Sequence, residues 1–477
     1  MLDLAVINGT VVSTEGQARL DVGVDGGRVV LLAAPGSLPA AAETTNASGL
    51  LVLPGTIDSH FHCRAPSFPE REDFASGTRA AAAGGVTTVL EMPISVPPTT
   101  DGTTLAARRA HAQRDAYVDV GFYSSSATLD RDRIGSAVAE GAVALKAFLQ
   151  EVPAGRESEF DGLCIHRNDE ILRALELVTE TGLPAVFHAE DYPTYSLLER
   201  RLRDAGRHDP PAHGEGRPDY VEALAIGNLI LLAAATGARL HIPHVSSALA
   251  VDVIRDGKRR GVSVTAETCP QYLALTAAAL QEHGPYAKCN PPLKSADDVA
   301  GLWEGLRDGT IDTVATDHSP FTPADKEPGW ENIWRANPGF PGVDILTPFL
   351  MGAALDGKLP MERAVTLITA NPADIFGLAP RKGRLIPGAD ADLVLYDPTV
   401  RDTVDTASWQ TRAQSSGRVW QGYPLTGRVL TTMVRGTIVY DRGEIVGSPG
   451  YGAIVRPTKT SVTPVALDQS AIHVVAS

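Results

Sequence analysis

The sequence predicts an α/β fold: a (β/α)8, TIM-like barrel with a small β-sandwich formed by the N- and C-terminal segments. Three observations predict it. From about residue 50 to 380, short apolar runs alternate with helical segments rich in Ala, Leu, Arg and Glu, the pattern of repeated βα units on a parallel sheet. Before residue 50 and after residue 380 the text consists of short β-type runs between glycine turns. The chain has 477 residues, 43% hydrophobic and 21% charged, more than one ordinary domain needs and ordinary in composition.

The opening segment alternates runs such as Leu4-Ala5-Val6-Ile7 and Val22-Gly23-Val24 with turns at Asn8-Gly9 and Gly26-Gly27. Eight barrel strands are expected at 52–60, 86–92, 118–124, 143–148, 185–189, 239–245, 262–268 and 313–317. Helices are expected between them, for example at 70–83, 168–181, 220–235 and 249–260, each ending near a glycine. Strands return at Asp392-Leu393-Val394-Leu395-Tyr396-Asp397, at 429–434 and at 437–440, and are expected to join the first ones in one sandwich. The division is therefore 1–52 and 381–448 for the sandwich, 53–380 for the barrel and 449–477 for a weakly patterned tail, extended, flexible or used in an oligomer contact.

Net charge is −15, from 42 basic and 57 acidic residues, and no Lys/Arg run tracks a phosphate backbone, so nucleic acid is not an expected partner. Met1-Leu2-Asp3-Leu4-Ala5 lacks a basic signal region, and the apolar run at 229–235 is short for a membrane span, so no membrane partner and a cytoplasmic location are expected. Cys63, Cys164, Cys269 and Cys289 lie far apart without CxxC spacing and read as reduced, structural thiols.

In such a barrel the chemistry sits at the C-terminal ends of the strands. The first strand ends in Asp58-Ser59-His60-Phe61-His62, where His60 and His62 share a face and suit one metal ion. Lys146 stands in the apolar run Ala144-Leu145-Lys146-Ala147-Phe148-Leu149. Burial of an ammonium is costly and depresses its pKa, and the neutral amine can take up CO2 as a carbamate that bridges two metals; outward snorkelling is the alternative. His188, His244 and Asp317 end strands five, six and eight. Ligand chemistry and spacing then place His60, His62, Lys146 and Asp317 on one divalent ion and Lys146, His188 and His244 on another. Zinc suits this donor set, with manganese, iron or cobalt open, and Asp317 can carry a proton from water to a leaving group.

Other candidates read as structural. Cys63 should face away from His62, and His241 away from His244. His111, His208, His213, His283 and His473 fall in helical or loop contexts, while His318 adjoins Asp317 and is expected to orient it.

At these residues the chain resembles the cyclic amidohydrolases of the amidohydrolase superfamily, the group of allantoinase, hydantoinase and dihydropyrimidinase, and dihydroorotase. The resemblance spans about residues 2–445 and includes Pro54-Gly55-Thr56-Ile57-Asp58-Ser59-His60-Phe61-His62, Ala82-Ala83-Gly84-Gly85-Val86-Thr87-Thr88, Glu267-Thr268-Cys269-Pro270-Gln271-Tyr272-Leu273 and Asn290-Pro291-Pro292-Leu293-Lys294. It implies the same fold, a carboxylated Lys146, two metal ions, hydrolysis of a ring amide and a homo-oligomer, tetramer or dimer. Asn290 and the loop Asn337-Pro338-Gly339 occupy places where the family holds the ring amide, largely by backbone groups.

The specificity motifs are mixed. Glu91-Met92-Pro93 and Thr316-Asp317-His318-Ser319-Pro320 are similar to allantoinase, and Cys269-Pro270-Gln271-Tyr272-Leu273 to hydantoinase. His60-Phe61-His62-Cys63-Arg64 is similar to dihydroorotase, whose arginine at this place binds a substrate carboxylate; here Ile94 replaces its partner asparagine, and Gln150-Glu151 stand where hydantoinases carry a tyrosine. Arg64 therefore either binds an acidic group or pairs with Glu70 or Glu72. The leading expectation is ring opening of a five-membered cyclic ureide, allantoin or a 5-substituted hydantoin. A dihydropyrimidine or dihydroorotate ring, a deacetylase or deaminase on the same fold, and a non-catalytic assembly protein are the alternatives.

Overall fold

The computed structural model describes residues 1–458, so His473 and the far part of the expected tail lie outside the described residues. Eight parallel strands run Thr56–Phe61, Val86–Glu91, Asp119–Ser125, Ala144–Leu149, Ala185–His188, Leu240–Ile242, Val264–Thr268 and Thr313–Val314, each paired to the next in chain order. The first and last meet through a parallel bridge of Phe61 with His318, and His62 N donates to His318 O at 2.9 Å. The expected (β/α)8 barrel is thus present.

Helices cover the strands where the local chemistry starts and stops them. Phe74–Ala83 begins later than the expected 70–83 because Asp73 caps it, accepting from Ser76 N in a reciprocal capping box. Asn168–Thr179, Asp219–Thr236 and Ala248–Arg259 fall within two residues of expectation, and Asp219–Thr236 stops at Gly237 in the left-handed region. The stretch Pro210–Thr236 is long and apolar enough, by length and composition, to cross a membrane. In the barrel its face of Val221, Ala225, Ile226, Leu229 and Ile230 is buried in the main core.

The strand expected at 52–60 is two strands. Leu51–Pro54 belongs to the sandwich, paired with Thr10–Val12 and Leu393–Thr403, and the barrel strand starts at Thr56. Gly55 is the joint: a Cβ there would come within 2.2 Å of Thr87 Oγ1 and 2.7 Å of Asp392 Cβ. The sandwich packs a four-stranded sheet centred on Leu2–Ile7 against a seven-stranded sheet, with Val6, Val24, Val52, Leu393 and Met433 between them.

Barrel and sandwich meet at a buried ionic hub. Lys382 Nζ lies 2.5 Å from Asp119, 2.7 Å from Asp392 and 3.0 Å from Asp390, and Arg435 also bonds Asp119. These carboxylates are close enough together to hold a cation, and the Lys382 ammonium fills that role. The described start of the tail returns to the barrel base, where Val120 N donates to Ala453 O and Val455 N to Val120 O.

Candidate metal centre and substrate pocket

Four imidazoles meet at the C-terminal mouth of the barrel. His60 Nδ1 lies 2.9 Å from Glu267 Oε1, which fixes its proton there and leaves the Nε2 lone pair 3.3 Å from Asp317 Oδ1. His62 Nε2 lies 3.2 Å from the same oxygen. On the other side, His188 Nε2 faces Glu190 Oε2 at 2.9 Å, so its Nδ1 is the acceptor that meets His244 Nε2 at 3.0 Å. Burial holds His62 and His244 well below the ordinary histidine range and lowers His188 too, so the rings are neutral, the state a metal requires. Burial alone would raise Asp317; His60 and His62 outweigh it and keep the carboxylate ionised.

Lys146 is fully buried in the fourth strand, two residues before Phe148, which is level with His188 on the neighbouring strand. Its Nζ has no hydrogen-bond partner among the described residues. Burial pushes the amine down to about 8, against the pull of Asp317 and Glu267. The strand end keeps the side chain inside; it does not snorkel. Three residues at this mouth adopt the left-handed region without being glycine: Arg64 (φ 65°), His244 (φ 42°) and Asp317 (φ 49°). Such backbone costs free energy and concentrates where side chains must be aimed.

The structure brings all six expected ligand positions to one mouth, and His60, His62 and Asp317 offer ligand atoms within 4.8 Å of one another. The donor set fits metal: nitrogens of His60 and His62 converge on one Asp317 oxygen, His188 and His244 meet through ring nitrogens, and Lys146 Nζ is left without a partner. A buried amine without a partner is unfavourable by itself, and imidazole and carboxylate groups gathered in this way suit a cation.

A cavity of about 980 Å³ opens over this centre and is lined by Arg64, Asn290, Asn337 and Gly339 as well. Arg64 is buried, its Nε and Nη1 lack partners, and its nearest carboxylate is Glu159 at 3.9 Å, with the Phe321 ring 5.1 Å away. Burial lowers its pKa to about 9. Neither expected partner holds it: Glu70 is exposed, and buried Glu72 faces Ser76, Thr411 and His318. Asn290 Oδ1 is likewise buried without a partner. In the loop, Asn337 N donates to Asp325 O at 3.1 Å and Gly339 N to Lys288 O at 2.8 Å. Asn337 Nδ2 donates to Asp325 Oδ1 and Pro338 has no N–H, so among the loop's main-chain groups the carbonyls of Pro338 and Gly339 are the ones not engaged.

Other expectations need correction. His318 does not reach Asp317 with its ring; its Nδ1 accepts from Gly342 N and Val343 N at 3.2 Å, so it pins the loop that follows. His241 is not turned away from the centre, because the strand ends at Ile242 and alternation fails before His244; its Nε2 lies 3.7 Å from Glu267. His213 stands in a helical context as expected, in Pro210–Glu215, and it also lines the pocket, with its Nε2 3.0 Å from Cys289 O. Glu267 and Glu190, which set the two histidine tautomers, were missed. Both stood in view, Glu190 two residues after His188 and Glu267 at the end of strand seven.

Residues 51–439 match the amidohydrolase family. The chain is 38% identical over 459 residues to an allantoinase of Rubrobacter xylanophilus, covering 96% of this chain and 98% of that one. It is 35% identical over 423 residues to a dihydroorotase of Syntrophus aciditrophicus, covering 88% and 95%. Among solved structures, the L-hydantoinase (dihydropyrimidinase) from Arthrobacter aurescens superposes with a TM-score of 0.91 at 33% identity, covering 96% of this chain and 100% of that one. The chain belongs to the amidohydrolase family. Within it, the protein is an enzyme that hydrolyses cyclic amides, acting on a small-molecule substrate.

Proposed function

We propose that the enzyme opens a five-membered cyclic ureide, allantoin or a 5-substituted hydantoin, at a binuclear centre bridged by carboxylated Lys146. The observation that carries the proposal is the buried, unpartnered Lys146 amine beside four imidazoles that are ready to bind metal. His60, His62, Lys146 and Asp317 would hold one ion and Lys146, His188 and His244 the other. When bound, two divalent ions lower the pKa of water and polarise a carbonyl, and the nitrogen-rich donor set favours zinc over manganese, iron or cobalt.

The chain's own residues supply the rest. Glu267 and Glu190 hold His60 and His188 in the tautomers that aim lone pairs at the centre. Asp317, kept ionised, takes a proton from water and returns it to the ring nitrogen as the carbon–nitrogen bond breaks, so hydroxyl ends on carbon and hydrogen on nitrogen. Asn290 Oδ1 and the carbonyls of Pro338 and Gly339 offer acceptors to ring N–H groups. Loading with zinc and screening allantoin, hydantoins, dihydrouracil and dihydroorotate for water addition tests the reading. Ring opening of allantoin or a hydantoin, lost on chelation, is expected, and opening of the six-membered rings alone would overturn it.

A second reading, a ring bearing an acidic group such as dihydroorotate, is favoured by one observation: Arg64 is a buried guanidinium with two unpartnered nitrogens facing the pocket. Retention of all six ligand positions weighs against a non-catalytic assembly role. We further propose a homo-oligomer, supported by exposed Tyr220, Leu224 and Leu231 on the helix Asp219–Thr236. Light scattering would read the oligomer directly, and a monomer at working concentration would dismiss it. For the domain division expected at 1–52 with 381–448, and 53–380, sheet membership supports moving the first boundary to Gly55.

A further inference from the structure

Two lysines other than Lys146 are buried beside the pocket, and the chemistry above uses neither. Lys288 is 6% exposed and Lys326 is 0% exposed. Neither has a carboxylate within ion-pairing distance among the described residues; both spend their protons on main-chain carbonyls. Lys288 Nζ donates to Ile333 O at 2.8 Å and to Ala336 O at 2.7 Å. Lys326 Nζ donates to Asn337 O at 2.8 Å, and its other carbonyl neighbour is Lys288 O at 3.4 Å.

The carbonyls they hold belong to one segment. Residues 333–339 carry Asn337, Pro338 and Gly339 along the pocket wall, without regular structure beyond the turn Ile333–Arg335. Main-chain groups buried in such a segment need partners from elsewhere. An ammonium brings three donors and no acceptor, which suits a convergence of carbonyls. Lys288 also accepts from Gly339 N and lies two residues before Asn290, so it ties the segment to the unpartnered Asn290 side chain. With Asp325 taking Asn337 N and Nδ2 and Lys288 taking Gly339 N, the main-chain donors on either side of Pro338 are engaged and carbonyl acceptors are left for a ligand.

We propose that Lys288 and Lys326 are positioning residues that brace the segment 333–339 and Asn290 as one acceptor surface, and that this surface selects substrates by their ring N–H groups. The proposal rests on the cyclic-ureide reading for its substrate and on the hydrogen bonds above for the brace. Burial lowers both lysines to about 7, in keeping with ammonium groups that have carbonyl but no carboxylate partners. A site built to bond a polar hydrogen discriminates strongly against an analogue lacking it.

The test compares zinc-loaded wild type with Lys288→Met and Lys326→Met on the best cyclic ureide and on analogues methylated at either ring nitrogen. The variants are expected to raise KM roughly tenfold or more with kcat within about threefold, and to reduce the preference for N–H over N-methyl rings at least about fivefold. KM and preference within about twofold of wild type would overturn the proposal, as would equal losses on all rings. If a Met variant fails to fold, Lys326→Gln, which keeps one donor, should give intermediate values, and wild-type values there would also overturn it. Amide hydrogen exchange of 333–339 separates the two readings. Faster exchange in the variants supports the brace even if no cyclic ureide is turned over, a failure that would count against the catalytic reading alone, whereas unchanged exchange removes the brace.

Discussion

Lys146 and Lys382 are both buried, at opposite ends of the barrel, and their surroundings are opposite. At the base, Lys382 meets Asp119, Asp390 and Asp392, and although burial opposes its charge, those carboxylates raise its pKa. At the mouth, Lys146 has no partner, and burial pushes it down. The first is a compensated charge that joins barrel to sandwich. The second is an uncompensated amine, which stability alone would not retain. Burial of a lysine is thus uninformative by itself; the partners decide whether it is architecture or chemistry.

The sharpest way to break this comparison is to remove each lysine. Lys146→Ala is expected to lower turnover at least about a thousandfold and to lose metal while the unfolding midpoint stays within a few degrees. Lys382→Met should do the reverse, costing about 3–5 kcal/mol in denaturant unfolding because buried Asp392 loses its ion-pair partner and Asp119 and Asp390 keep only Arg435 and Arg381, while the folded fraction keeps its metal and turnover. If both variants lose stability equally, the contrast fails.

Asp317→Asn comes next, with kcat expected to fall about 10²–10⁴-fold and KM to change little, read by steady-state kinetics. Arg64→Ala then separates the two substrate readings. On a ring carrying a carboxylate it should raise KM roughly 10–100-fold, the size of a lost charge-assisted bond, and on allantoin it should change little. An effect equal on both rings would make Arg64 a packing residue against Phe321.

The smallest effect concerns pH. Lys288 and Lys326 have folded values of about 7 against 10.5 for the free side chain, so above pH 7 the unfolded chain binds more protons than the folded one. Their contribution therefore makes stability rise with pH, each by about 1 kcal/mol per unit. Asp344, raised by burial to about 8, works in the opposite direction below that value and no longer above it. The rise should appear between pH 8 and 9 in chemical unfolding of the metal-free protein, where Lys146 adds to it, and Lys326→Met should lower the slope by about 1 kcal/mol per unit; an unchanged slope would contradict the assignment.

Much of this was legible in the sequence for a physical reason. Parallel barrel strands are apolar and periodic, so a histidine pair, a lysine and an aspartate at their ends stand out against the pattern. What the pattern hides lies where it stops. Leu51–Pro54 and Thr56–Phe61 read as one run because both are apolar, and only the close approach at Gly55 divides them. His241 was misjudged because alternation was extended past the end of its strand. The partner of Arg64 was sought nearby, in Glu70 and Glu72, but the nearest carboxylate, Glu159, comes from the short helix Glu157–Phe160, almost a hundred residues away, at the same mouth. Lys288 and Lys326 carry no sequence signal at all, since their partners are main-chain carbonyls, which every residue has.

Ring opening at a centre bridged by carboxylated Lys146 is best tested by following allantoin and 5-substituted hydantoins by mass spectrometry, with wild type and Lys146→Ala each supplied with zinc and bicarbonate. This chemistry predicts addition of one water by the wild type, abolished by chelation and absent in the variant. Turnover by Lys146→Ala at the wild-type rate, or none by wild type with two zinc ions bound, would contradict it.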